Sequence, residues 1–152
     1  MNYSKKSTNY LRLQATSSED LKVLSALLQD SIVPIADILY TPSQKQVIMV
    51  LQRFRWELIK NAKTKGKPIG YHRCLCGLVI DKVEYMQTRR IDINDRSRFL
   101  NFLTFYKSGQ RLDLQFSASK TIRLSVNSLK ITAKDMGESW PTARCPKHEE
   151  ST

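Results

Sequence analysis

Hydrophobic and polar positions along the chain fall into two rhythms. From Ser18 to Ser31, the residues Leu21, Leu24, Leu27, Leu28 and Ser31 recur at helical spacing, which predicts one helix with an apolar stripe turned toward a core. Ser17, with Asp20 three positions on, resembles a capping box, and Pro34 stops the run. Elsewhere the period is two. YLRLQA (10–15) reads as a short strand, and IADILYT (35–41) and QVIMVLQRFRWEL (46–58) flank the turn cluster PSQK and predict a hairpin. FLNFLTFY (99–106) and RLDLQF (111–116) flank KSGQ as a second hairpin. YHRCLCGLVIDKVEYMQT (71–88) reads as one long strand bulged at Gly77, and TIRLSVNSLKITA (121–133) as a strand whose apolar phase slips between Val126 and Leu129.

One helix and six or seven strands joined by short turns predict an α+β domain. The N-terminal helix is expected to pack over the open side or mouth of a curled, mostly antiparallel sheet or partly closed barrel. A pleckstrin-homology-like roll is a variant, but that fold ends in a helix and this chain ends in prolines. Residues 1–9 are polar and expected to be disordered. Residues 10–152 are expected to form a single domain, with an extended tail from about 136 that contains Gly137, Pro141 and Pro146.

Charge changes the picture more than length does. The 152 residues carry 25 Lys and Arg against 14 Asp and Glu, a net charge of +11, which points to an acidic partner. No apolar run approaches the roughly 20 residues of a membrane span. The N-terminal lysines have no apolar stretch behind them, and the cysteines number three. Both observations favour reduced thiols and a cytoplasmic protein.

The positive charge concentrates between residues 45 and 73. Lys45, Arg53, Arg55, Lys60, Lys63, Lys65, Lys67 and Arg73 stand there against Glu57 alone, which is +7 of the +11. Period two puts Phe54 and Trp56 on one strand face with Ile48 and Val50, where both read as core. Arg53 and Arg55 share the other face with Val47, Met49 and Leu51, so that face is either covered or crossed by the arginine stems. Asp30, at the unfavourable end of the helix dipole, is expected to bond to Arg53 or Arg55. The residues proposed from sequence to contact an anion or nucleic acid are Arg53, Arg55, Lys60, Lys63, Lys65, Lys67 and Arg73.

Catalytic patterns are missing. No G-x-S-x-G, G-x-G-x-x-G, P-loop or H-E-x-x-H motif occurs, and Asp81, Asp92, Asp95 and Asp113 read as solvated or turn-capping residues. His72, Cys74 and Cys76, with Cys145 and His148, invite a zinc reading. C-x-C in a strand, however, is the pattern of small buried residues rather than of a ligand knuckle, so neither metal nor cofactor is expected. The resulting expectation is a non-enzymatic binding or adaptor domain that meets an acidic partner through the basic loop. RNA is the first candidate, ahead of an acidic protein or an anionic membrane surface. The alternative is an enzyme or small-ligand binder using the interior or mouth of the roll.

Three segments carry a resemblance: EDLKVLSALLQDSIVP (19–34), LQRFRWE (51–57) and WPTARCPKH (140–148). In order and spacing, from Leu11 to His148, they resemble the family of small bacterial proteins catalogued as domain of unknown function 2948. The resemblance implies a bacterial, cytoplasmic, single-domain protein with no assigned activity, substrate or cofactor. The tail's Trp, Pro and His belong to that pattern; the three cysteines and the lysine loop do not. Trp140 is expected to lie largely buried across the opening of the roll.

Overall fold

Ser17 starts the helix as its spacing predicts. Its Oγ accepts from the N–H of Asp20 (3.1 Å), while the Asp20 carboxylate accepts from the N–H of Thr16 (3.0 Å). The computed structural model, which describes residues 10–59 and 70–146, gives this helix as α1 (Ser18–Leu28), with Leu21, Leu24 and Leu28 buried. It ends short of Ser31 because Asp30 adopts a left-handed conformation (φ 65°) and donates its N–H to the carbonyl of Phe102 (2.8 Å). That bond carries the chain directly from the helix into the sheet.

The strands are β1 (Arg12–Ala15), β2 (Ile32–Pro34), β3 (Ile38–Thr41), β4 (Gln46–Phe54), β5 (His72–Ile80), β6 (Val83–Arg89), β7 (Phe99–Ser108), β8 (Arg111–Phe116), β9 (Lys120–Val126) and β10 (Ile131–Pro141). They form one antiparallel sheet in the order β1-β10-β5-β4-β2-β7-β8-β9-β6, with β3 added on β4. Among the described residues the sheet therefore has ten strands and stays open, which corrects the expected six or seven. Three-residue β2, carrying Pro34, is too short to show a period. The long run at 71–88 divides where Lys82 takes a left-handed φ of 59°, and the phase slip after Val126 is a full break.

Both breaks mark places where the chain crosses between the two halves of the sheet. The crossings lie side by side: Asp81 N–H donates to Lys130 (2.9 Å) and Asn127 N–H to Lys82 (3.1 Å). Gly77 is not bulged; β5 passes through it regularly between Val50 and Lys134. The irregularity is in β10, between Met136 and Trp140, where Gly137 has φ 72°. At the far end of the sheet β6 returns to the β3–β4 turn, where Val83 N–H donates to Lys45 (2.9 Å) and Lys45 Nζ meets Glu84 (2.8 Å).

One core fills the curl. Val47, Met49, Leu78, Ile80, Ile131 and Ala133 from one half meet Phe102, Leu112, Leu114, Phe116, Ile122 and Leu124 from the other, together with the α1 leucines. The helix, expected over the open side or mouth of the roll, packs chiefly against β7, with lesser contact to β1 and β4. The described residues after β10 hold no helix.

Candidate anion-binding site

Alternation along β4 turns Val47, Met49, Leu51 and Arg53 inward, and alternation along β10 does the same for Ile131, Ala133 and Asp135. Arg53 and Asp135 thus occupy positions where each strand otherwise carries an apolar residue. Between the two strands lies β5, whose inward positions at that level are Cys74, opposite Arg53, and Cys76, opposite Asp135. Those small side chains leave room for the arginine and the aspartate to meet across β5. Arg53 Nε and Nη2 donate to Asp135 Oδ1 (3.0 Å) and Oδ2 (2.7 Å). The same guanidinium donates from Nη1 and Nη2 to the two oxygens of Glu57 (2.9 Å each), a residue in the helical turn at 56–59.

Arg55 joins the cluster from outside the strand. Its Nε lies 3.2 Å from Glu57 Oε2, its Nη1 donates to Ser139 Oγ (3.0 Å), and its guanidinium lies over the ring of Tyr10 (4.8 Å). Asp135 Oδ2 also accepts the N–H of Leu11. Among the described residues, two guanidinium groups and two carboxylates offset one another in a quartet. Burial alone would raise the Glu57 carboxyl, but the hydrogen bonds and charge of Arg53 outweigh it and hold the group below its ordinary value of 4.5. Burial likewise disfavours the Arg53 cation, and Glu57 and Asp135 more than restore it.

Of the two alternatives left open for the face of Arg53 and Arg55, the structure has that face covered. Arg53 is fully buried and Arg55 nearly so, and their charge is spent on internal carboxylates. Phe54 is buried as predicted, whereas Trp56 is half-buried, edge-on to Phe54 (4.6 Å), with its Nε1 donating to Gln29 (2.9 Å). The tie between helix and sheet exists but uses a different arginine. Arg73 Nη1 donates to the carbonyls of Asp30 (3.1 Å) and Gln52 (3.0 Å), with its guanidinium over Phe54 (5.4 Å). A cation set on the carbonyl end of α1 suits the helix dipole.

Arg73 also faces a cleft of about 900 Å³, lined by Asp30, Ile32, Tyr71, Asn101, Thr142, Arg144 and Cys145 among others. The tail after β10 forms one wall, pinned by the N–H of Thr142 on Tyr71 (2.8 Å). Trp140, expected to be largely buried, is half-buried here. Among the described residues, Nε and Nη2 of Arg73 have no hydrogen-bond partner, and Arg144 is exposed, so two guanidinium groups present donors to the cleft. Lys60, Lys63, Lys65 and Lys67 lie outside the described residues; their segment rejoins the described chain at Gly70, next to Tyr71 of the cleft.

Of the seven residues proposed from sequence, then, Arg53 and Arg55 meet each other through Glu57, and Arg73 stands apart in the cleft. Asp135, Ser139 and Arg144 went unnoticed in the sequence, and Glu57 counted only as a minor offset to the basic stretch. For Asp135 a signal existed, as a carboxylate in the inward phase of a strand. Cys74 and Cys76 are fully buried, and burial pushes the Cys74 thiol up to about 11. Among the described residues no three His, Cys, Asp or Glu side chains are grouped to hold a metal, and His148 lies outside them. No described helix is long and apolar enough to cross a membrane.

No curated protein and no solved structure matches the chain. A family profile does, over residues 11–148, and by that match the chain belongs to the family described as protein of unknown function DUF2948.

Proposed function

We propose that the protein is a non-enzymatic binding or adaptor domain that takes an acidic partner, RNA first, through Arg73, Arg144 and the lysines at 60, 63, 65 and 67. The observation that carries this reading is the cleft in which Arg73 and Arg144 present donors beside the point where the lysine segment rejoins the fold. Arg53 and Arg55 drop out of this set, because they are buried and paired with Glu57 and Asp135. Cytoplasmic residence belongs to the same reading and is supported by the three free cysteines.

The test is polyanion binding by nuclease-treated protein as salt is varied. A labelled RNA should bind with steep salt dependence, and replacing the four lysines with glutamine should flatten the slope of log affinity on log salt by about three. Protein that ignores RNA and other polyanions even in dilute buffer would end the reading. The size of the cleft favours one second reading, a small anionic ligand held by Arg73 and Arg144. Such a ligand would stay bound at moderate salt and raise the melting temperature, whereas polyanion contact through the lysines would be screened away.

A further inference from the structure

The outer face of β6, β9, β8 and β7 carries residues that neither the core nor the cleft uses. Leu112, Leu114, Ile122 and Leu124 point inward, so the alternate residues of these strands lie on the outer face, where Asp113 is itself buried beneath its arginine neighbours. The register sets them in rows. Tyr85, Ser125 and Arg111 form one; Gln87, Arg123, Asp113 and Tyr106 the next; Arg89, Thr121 and Gln115 a third. Tyr85 and Tyr106 are 54% and 47% exposed, and large aromatic rings are not what the solvated face of an antiparallel sheet requires. Both rings are oriented by neighbours. The Tyr85 hydroxyl accepts from Gln87 Nε2 (2.9 Å), and the Arg111 guanidinium lies over the Tyr106 ring (5.4 Å).

Charge on this face is mainly positive. Asp113 is the single carboxylate of the three rows; Arg123 grips it through two bonds (2.9 and 3.1 Å) and Arg111 Nε approaches to 3.5 Å. Against it stand Arg89, Arg111 and Arg123, three cations to one anion. The side chains of Arg111 and Arg123 remain 42% and 43% exposed. Past the Arg89 end, Arg90 and Lys120 border a neighbouring hollow and extend the positive strip.

We propose that this face is a platform for single-stranded nucleic acid, with bases stacked on Tyr85 and Tyr106 and phosphates held by Arg89, Arg111 and Arg123. The rings stand three strand spacings apart, about 14 Å at ~4.8 Å per spacing, with Arg111 and Arg123 on the strands between them and Arg89 one row farther along β6. A duplex has its bases already stacked and offers only their edges, whereas a single strand brings free base faces and a charged backbone together, the two things this surface is built to meet. An acidic protein would meet the arginines and have no use for the rings. The proposal takes its partner class from the function proposed above but stands on a separate surface, so the two can fail separately.

The experiment uses full-length, nuclease-treated protein and fluorescence anisotropy with labelled oligouridylate, oligodeoxythymidylate and a mixed-sequence duplex. Single strands should bind more tightly than the duplex, with the RNA and DNA arms showing which sugar is preferred. Tyr85→Ala and Tyr106→Ala should each weaken single-strand binding about ten-fold at unchanged melting temperature, and the Phe replacements should restore it. The four-lysine variant should lower single-strand and duplex binding alike. Alanine variants that bind as tightly as the wild type would overturn the platform, even if the lysine variant has lost its affinity. A duplex that binds as well as single strands, or an absence of binding to any oligonucleotide, would overturn it too.

Discussion

Asp135 is the residue on which the interior electrostatics turn. Its carboxylate is the buried partner of a guanidinium that water does not reach, so Asp135→Asn leaves Arg53 with half its compensation. The expected loss is about 3–5 kcal/mol, read from urea denaturation. Replacing both partners, Arg53→Met with Asp135→Leu, should cost less than the sum of the two single changes, because no charge is left stranded. Glu57 makes the same cluster acid-sensitive. Its carboxyl titrates lower in the folded chain than its ordinary 4.5, so its contribution is complete above that pH and is lost as pH falls below it through the folded-state value. Between pH 7 and pH 3, Glu57→Gln should therefore lose less stability than the wild type. Each member of the Arg53–Asp135 pair was legible in the sequence as a polar residue in an apolar phase. Their partnership was not, since 82 residues separate them and period two carries no information about which strands become neighbours.

At the scale of elements, the turn between β5 and β6 shows what a hydrophobic pattern conceals. Lys82 sits there exposed at φ 59°, a conformation that costs a residue with a Cβ about 1–2 kcal/mol. Lys82→Gly should raise stability by about 0.5–1 kcal/mol once the greater freedom of glycine in the unfolded chain is subtracted, a gain measurable by thermal or urea unfolding. The run at 71–88 read as one strand because Asp81 and Lys82 interrupt neither its composition nor its length, whereas the break after Val126 announced itself as a slip in phase. The helix and both hairpins were legible for the opposite reason: a cap, a stripe and short turn clusters are local. β2 has three residues, and only tertiary pairing to β4 and β7 makes it a strand.

For the whole molecule, the curl and the single core follow from the one-faced strands, and the sequence carried that much. Strand order was invisible in it. Charge was legible as a total but not as a distribution: two of the arginines that made residues 45–73 look like a contact surface are interior, while the outer face of β6–β9–β8–β7 had drawn no notice. The order also makes a prediction. β10 lies between β1 and β5 and supplies Asp135, so a chain ending before Ile131 should lose its cooperative unfolding transition and exchange its amide hydrogens rapidly, rather than retain a folded remainder.

The position of β10 has a further consequence for how the protein is made. Among the described strands, β1 pairs only with β10, which is made after the other nine, and until β10 arrives an arginine destined for the interior has no aspartate to receive it. Completion is therefore signalled by charge neutralisation as well as by burial. A prematurely terminated product would keep an open sheet margin and a homeless cation, which is how quality-control proteases would tell it from a finished molecule.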